Sequence, residues 1–517
     1  MILPLAKFRK YIDKFNEDDE ETVIQEISNK DSWSWLQQNI PFFECPDQEI
    51  EEVYYFRWWT YRKHIKRTPD GFIITEFHPN VHWAGKHNSI NCSAGHHFYE
   101  GRWLKESKAI FYDFATFWFR RGGSSRSYST WLVDGIWNYC TVLGKYDLLI
   151  DLLADFVGNF RAWESSNLHS SGLFWSNDDR DAMEYSISGS GLRPTLNSYL
   201  FADAVAIAKT AELAGDSRLQ EEFSHKSSEI KQLMLERLWD PMEEFFKVLP
   251  LGSHTAALTS WDFSNVDPSH NVREEIGFIP WYFNIPDIGY ENAWTQLIDP
   301  NGFFAPFGPT TAERRHSRFM SEHSNHECLW NGPSWPFSTS QTLTAMANLL
   351  NNYDQKVVSL QDYLKELQVY ARSHYRQVSS SKRICWIDEN LHPFTGEWLA
   401  RGILERWGWR TEKGGYERGK DYNHSTYCDL IISGLIGLRA TDNDELLVIN
   451  PLIPQGTWHY FCLDRVSYRG LDLTIMYDET GQRYGHGAGL FVFVNGKQRA
   501  YSPSIGKIEI NLTKSAY

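Results

Sequence analysis

Three acidic residues sit in stretches crowded with aromatic, glycine and hydroxyl residues: Asp134 in WLVDG, Glu184 in DDRDAMEYSISG and Glu389 in WIDENLHPFTGEW. Two carboxyl groups that converge on one pocket from distant segments are the chemical minimum for cleaving a glycosidic bond. One protonates the leaving oxygen, and the other attacks the sugar or activates water. The proton donor works near neutral pH only when its pKa is raised, and Met183, Tyr185 and Trp175 are apolar neighbours able to desolvate Glu184. Each acid also has a structural reading. Glu184 stands near a helix start and near Arg193, with Asp178, Asp179 and Asp181 as competing acids in the same loop. Glu389 belongs to a turn that Asn390, Pro393 and Gly396 already explain. Asp134, among Trp131, Leu132, Ile136 and Trp137, is expected to face a pocket.

Around these acids lie residues suited to gripping a sugar, whose faces are apolar and whose edges carry hydroxyls. Tyr128, Trp330, Trp335 and Trp386 are candidate stacking walls or core aromatics, and Arg126 and Arg193 are candidate hydroxyl donors or structural cations. His323, His326 and Glu327 precede the WNGPSW turn but are followed by no third-ligand spacing, so hydrogen bonding is expected there and no metal. No cofactor motif is present.

The 517-residue composition agrees with a neutral ligand. A net charge of −15 argues against nucleic acid, membrane surfaces and polyanions as partners, since each calls for an excess of Lys and Arg. A small-molecule or oligosaccharide substrate fits the 15% of residues that are aromatic. The seven cysteines are scattered, odd in number and never spaced as CxxC, so buried thiols are expected rather than disulfides or zinc. The opening MILPLAKFRKYIDKF has an apolar run too short for a signal peptide, and no segment approaches the roughly 20 apolar residues of a membrane helix. A cytoplasmic location is expected, and the oligomeric state is left open.

The elements that must position these groups are mostly helical. Apolar residues recur at three- and four-residue spacing in 107–121, 128–144, 146–160, 195–215, 334–353 and 421–438. Helices come in consecutive pairs. The connections 162–194, 250–280, 299–334 and 384–422 are long and rich in Gly, Trp, His and Asn, and such loops usually carry function. After about residue 440 come short β-prone runs, with Asn495-Gly496 as a hairpin turn. Residues 1–440 are thus read as a helical catalytic domain with an N-terminal lead-in, and 441–517 as a small antiparallel β-domain.

Four segments, in order, resemble the six-hairpin glycosidases, especially the family of processing α-glucosidase I and the mannosylglycerate hydrolases. CLWNGPSWPFSTSQTL (328–343) is similar to that family's WRGPxWP segment, WLVDG to its WxxD helix start, DAMEYS to its G-M-D-N-S acid loop, and DENLHPFTGEW to its E-N-Y-N-P-x-T-G base loop. The resemblance covers roughly 130–440. It implies a mainly α fold, an (α/α)6 barrel with its active site at one mouth, and an inverting, exo-acting hydrolase of an α-linked glycoside. Carried over, Glu184 stands where the family has its general acid, Glu389 where it has the base, and Asp134, with Trp131, where it grips sugar hydroxyls. The acid is one methylene longer than the family's Asp, and the WRGP arginine is Asn331. Rhamnosidase- or arabinofuranosidase-type hydrolases on the same fold, and a non-catalytic glycan-binding protein, are the alternatives.

Overall fold

The computed structural model describes residues 2–251, 263–323 and 326–512. Residues 252–262 of the connection 250–280, residues 324–325 of the connection 299–334, and both ends of the two domain spans lie outside the described residues.

The apolar runs become helices at Lys108–Arg120, Leu132–Leu143, Asp147–Asn167, Pro194–Ala214 and Pro336–Asn352. Pro194 and Pro336 open two of them, where the missing N–H has no helical partner to lose. The span 421–438 behaves differently. The carboxylate of buried Glu100 accepts the backbone N–H groups of Tyr427, Cys428 and Asp429 at 2.8–3.2 Å, which fixes the helix start there and leaves 421–424 as irregular backbone. Beyond it, Leu430–Leu435 winds as a π-helix.

Six segments pack in chain order: Ala94–Gly101, Leu132–Leu143, Pro194–Ala214, Ile279–Tyr282, Pro336–Asn352 and Leu430–Leu435. First and last meet through Glu100 and through the Arg102–Asp429 ion pair at 2.7 Å, both of which are buried. Gln48–Lys63, Asp147–Asn167, Ser217–Arg237 and Leu360–Ser373 flank them. A continuous apolar core joins these layers.

At the C-terminal end, strands 460–468, 471–478, 489–494 and 497–502 form an antiparallel sheet, and 438–439, 446–449 and 508–511 form a second, three-stranded one. Asn495 and Gly496 have φ of 49° and 75°, the left-handed pair that a two-residue hairpin turn requires. Phe42–Glu44 supplies the sheet's remaining edge strand, pairing with 462–464, and Asp464 accepts the N–H groups of Ile2 and Leu3. The β-unit is therefore stitched to the start of the chain. A three-residue strand is too short to show alternation in sequence.

Candidate active site

A cavity of about 250 Å3 opens where the N-terminal ends of the ring helices converge. Cys92, Tyr128, Glu184, Trp335 and His424, which line it, each precede one of those helices. Helix N-termini carry partial positive charge, which favours carboxylates at this end of the fold.

Glu184 lines the cavity from a tightly held loop. Its neighbours Ala182 and Tyr185 have φ of 59° and 62°, a region non-glycine residues enter only when their surroundings compel it. The compulsion comes from buried Arg193, which pairs with Asp181 at 2.7 Å, donates to Ser186 at 3.2 Å and reaches the carbonyl of Gly189. Thr195 also donates to Asp181. The N–H of Trp330 caps the carbonyl of Glu184 at 3.0 Å. Burial, with the charges of Asp179, Glu389 and Asp178 behind it, pushes the Glu184 carboxyl up to about 8. The group therefore holds its proton at neutral pH.

Glu389 is fully buried immediately behind the cavity wall. Arg418 grips it with two guanidinium bonds, at 2.7 and 3.1 Å, and the Cys328 thiol donates to its Oε2 at 2.9 Å. Burial raises its pKa above the ordinary carboxylate value although Arg418 opposes the shift. Arg418 also contacts Glu327, whose two oxygens accept from Lys413 at 2.8 and 2.9 Å. These cations hold Glu327 at about 2 despite its burial. The adjacent Asp388–Arg401 pair, at 2.6 Å, braces the loop, with Asp388 accepting the N–H of Glu389. Gly419, at φ 74°, passes so close that an added Cβ would lie 1.9 Å from Asp388 Oδ1.

A third carboxyl, Glu76, lines the same cavity. The Tyr422 hydroxyl and the Cys92 thiol donate to it, and burial pushes it up to about 7.

Of the sequence-derived candidates, the structure brings Glu184, Asp179, Tyr128, His326, Glu327, Trp330 and Trp335 to the cavity, with Glu389 touching two of its lining residues. Trp330 and Trp335 stack with ring centroids 4.5 Å apart. The others are elsewhere. Trp131 is fully buried among His96, Tyr199, Tyr282 and Phe337, with Gly95 packed on its ring. Asp134 is not among the lining residues: it accepts from Tyr99 at 2.8 Å and Asn138 at 3.2 Å, in the helix turn beyond Trp131. Arg126 is exposed and donates to the carbonyl of Ala162, and Arg193 is spent on the acid loop. Trp386 lies under Arg401 and donates to Asp388.

Asn331 faces away because the segment 328–331 alternates, with Cys328 and Trp330 on the cavity side. Leu329 and Asn331 line a separate open groove of about 1340 Å3. Asn331 donates there to Ser321, and Gly332, at φ 145°, clears the Phe319 ring. His323 and His326 pack on the Tyr185 ring. The sequence reading missed Glu76, Cys328, Lys413, Arg418 and His424 as site residues. Arg418 and Lys413 lie in the connection 384–422 already marked as functional, whereas Glu76 carries no local signal.

Residues 86–425 match the family described as the mannosylglycerate hydrolase MGH1-like glycoside hydrolase domain, and residues 440–499 match the glycosyl hydrolase family 65 C-terminal domain. Among solved structures, one titled sialidase is 39% identical and superposes with a TM-score of 0.89 over 98% of this chain and 45% of its own. The present chain thus spans less than half of that relative. An α-L-rhamnosidase from Streptomyces avermitilis shares 11% identity at a TM-score of 0.52, over 89% of this chain and 38% of its own, a likeness of fold alone. The mannosylglycerate hydrolase of Thermus thermophilus shares 11% identity at a TM-score of 0.48, over 73% of this chain and all of its own. Among the described residues, no helix is long and apolar enough to cross a membrane.

Proposed function

The chain belongs to the mannosylglycerate hydrolase MGH1-like glycoside hydrolase family, and from that premise we propose that it is an inverting, exo-acting hydrolase of an α-linked glycoside. In this reading the ring of helices is an (α/α)6 barrel in residues up to about 440, with Glu184 as general acid and Glu389 as general base. The observation that carries it is Glu184 on the wall of a small cavity, its pKa raised by burial and by charges that include buried Glu389, which is drawn from 205 residues further along the chain. Ligand sites for larger molecules run to roughly 300–1,000 Å3, so a cavity of about 250 Å3 suits one sugar ring. That size supports attack on a terminal residue. The stacked Trp330 and Trp335 form an apolar platform, and the indole Nε1–H of Trp330, which has no acceptor among the described residues, suits a sugar hydroxyl.

The step is a single displacement. Glu184 passes its proton to the glycosidic oxygen as the bond to the anomeric carbon breaks, and water attacks the opposite face while giving its proton to Glu389. The aglycone leaves as an alcohol, and the free sugar appears with inverted configuration. Arg418 and Cys328 hold both oxygens of Glu389 in one orientation, and Arg193 fixes the loop that carries Glu184. A screen of nitrophenyl glycosides and natural disaccharides, with proton NMR of the first product, tests this reading. Initial retention of configuration rules it out.

A second reading of the base has one observation in its favour. Glu76 lines the cavity directly, whereas Glu389 is covered by Cys328 and Arg418. The mutant comparison that opens the Discussion separates the two. The name of the 39% identical relative suggests a carboxylate-bearing sugar, but the charges lining the cavity support an uncharged one.

The pKa shifts set the pH profile. The acid must be protonated and the base ionised, so kcat/KM rises with pH as Glu389 ionises above the ordinary carboxylate range. It falls again as Glu184 loses its proton through about 8. A pH–rate profile from 4 to 10 shows a bell with a near-neutral or mildly alkaline top. A profile already falling at pH 5 contradicts the assignment of Glu184.

A further inference from the structure

We propose that Glu327 determines substrate class at this site: by engaging Lys413 and Arg418, the cations on the cavity wall, it closes the cavity to carboxylate-bearing sugars and leaves it to uncharged ones. The inference rests on the hydrolase reading and names the class of sugar it takes.

A sugar carboxylate entering a confined cavity loses its hydration and needs a cation in exchange. The two lining cations are already committed. Lys413 spans both oxygens of Glu327 at 2.8 and 2.9 Å, with its side chain only 19% exposed. Arg418 spends Nε and Nη2 on Glu389 and Nη1 on Glu327. Arg180, near the Tyr128 ring, points a solvent-exposed guanidinium toward Asp179 at 4.0 Å. Against these stand Glu76, Asp179 and Glu327 on the wall and Glu389 behind it, joined by Glu184 once it ionises through about 8. An acidic sugar thus meets carboxylates and no uncommitted cation among the lining residues. An uncharged ring meets the Trp330–Trp335 platform and accepting oxygens that suit hydroxyl donors. Glu327 is the residue on which this balance turns, because its removal frees Lys413 while Arg418 keeps Glu389.

Binding is read without turnover, by titrating the tryptophan fluorescence of the full chain. The probes are free glucose, mannose and galactose, each with its uronic acid twin, and N-acetylneuraminic acid. The tightest uncharged probe is expected to bind the wild type at least about 100-fold more strongly than its acidic twin. Glu327→Gln is expected to narrow that gap at least tenfold, through better binding of the acid. A wild type that binds the twin or N-acetylneuraminic acid as well as the uncharged sugar overturns the proposal. So does a folded Glu327→Gln with an unchanged gap, or failure of every uncharged probe to bind.

If circular dichroism shows Glu327→Gln unfolded, the wild-type titration from pH 5 to 9 decides. The gap must widen as Glu76 and Glu184 ionise through about 7 and 8, and a flat gap overturns the proposal. Should the binding order hold while no glycoside is hydrolysed, the hydrolase reading fails and the charge selection stands.

Discussion

Glu389→Gln is expected to lower kcat on a natural glycoside by roughly 10²–10⁴-fold, the range a positioned acid–base group contributes, with substrate binding retained. The amide keeps the shape and accepts one hydrogen bond from Arg418, but it cannot take a proton from water. Removing one partner of a buried ion pair costs stability, roughly 3–5 kcal/mol when the other charge is left alone. Arg418 is not left alone, because Glu327 still holds it, so the variant is expected to fold with a lowered melting temperature. The measurements are single-turnover rates, tryptophan-fluorescence binding and a thermal melt on the same preparation. Glu76→Gln is the control. Its carboxyl is bonded by Tyr422 and Cys92 and its loss is expected to weaken binding more than chemistry. If Glu76→Gln abolishes turnover and Glu389→Gln retains it, the base is Glu76.

Glu184→Gln is expected to separate substrates by leaving group. An alcohol or sugar leaving group needs its proton as the bond breaks, so kcat/KM on a disaccharide should fall by roughly 10³-fold. A dinitrophenolate departs with little protonation, and the same variant should keep activity on the dinitrophenyl glycoside within roughly tenfold of wild type. Water still needs its base on both substrates, so Glu389→Gln should be slow on each. The alkaline limb near 8 should also vanish in Glu184→Gln, because the group that titrates there has gone. Equal losses on every leaving group, with the limb unmoved, would transfer the role of acid to Asp179. Asp179 lines the cavity, whereas Asp181 does not, and its Oδ2 accepts from both Arg193 and Thr195.

Local sequence encodes most of the helices and the loops between them, though not the start of the last helix, which Glu100 sets, or the Phe42–Glu44 strand. Apolar spacing along 194–214 and 336–352 encodes a buried face through neighbours only three and four residues apart, and the prolines at each start are local signals too. The Asn495-Gly496 turn is likewise decided by the backbone freedom of two residues. The local pattern of acids amid aromatics before a helix offers Glu184 together with Asp178, Asp179 and Asp181, and the family resemblance of DAMEYS singles out Glu184.

The tertiary structure decided which charges meet. Arg418 serves Glu389 and Glu327 from 29 and 91 residues away, and Tyr422 reaches Glu76 across 346. No periodicity records such pairs, and the Tyr422–Glu76 contact bridges the two ends of the ring, which join through Glu100 and Asp429. Asp134 turns to Tyr99 because the first two helices of the ring pack side by side, while the cavity lies on the other side of Trp131. Helical spacing places a side chain on the ring's inner face, but its height along the axis, and so its distance from the cavity, follows from how Trp131 packs on Gly95.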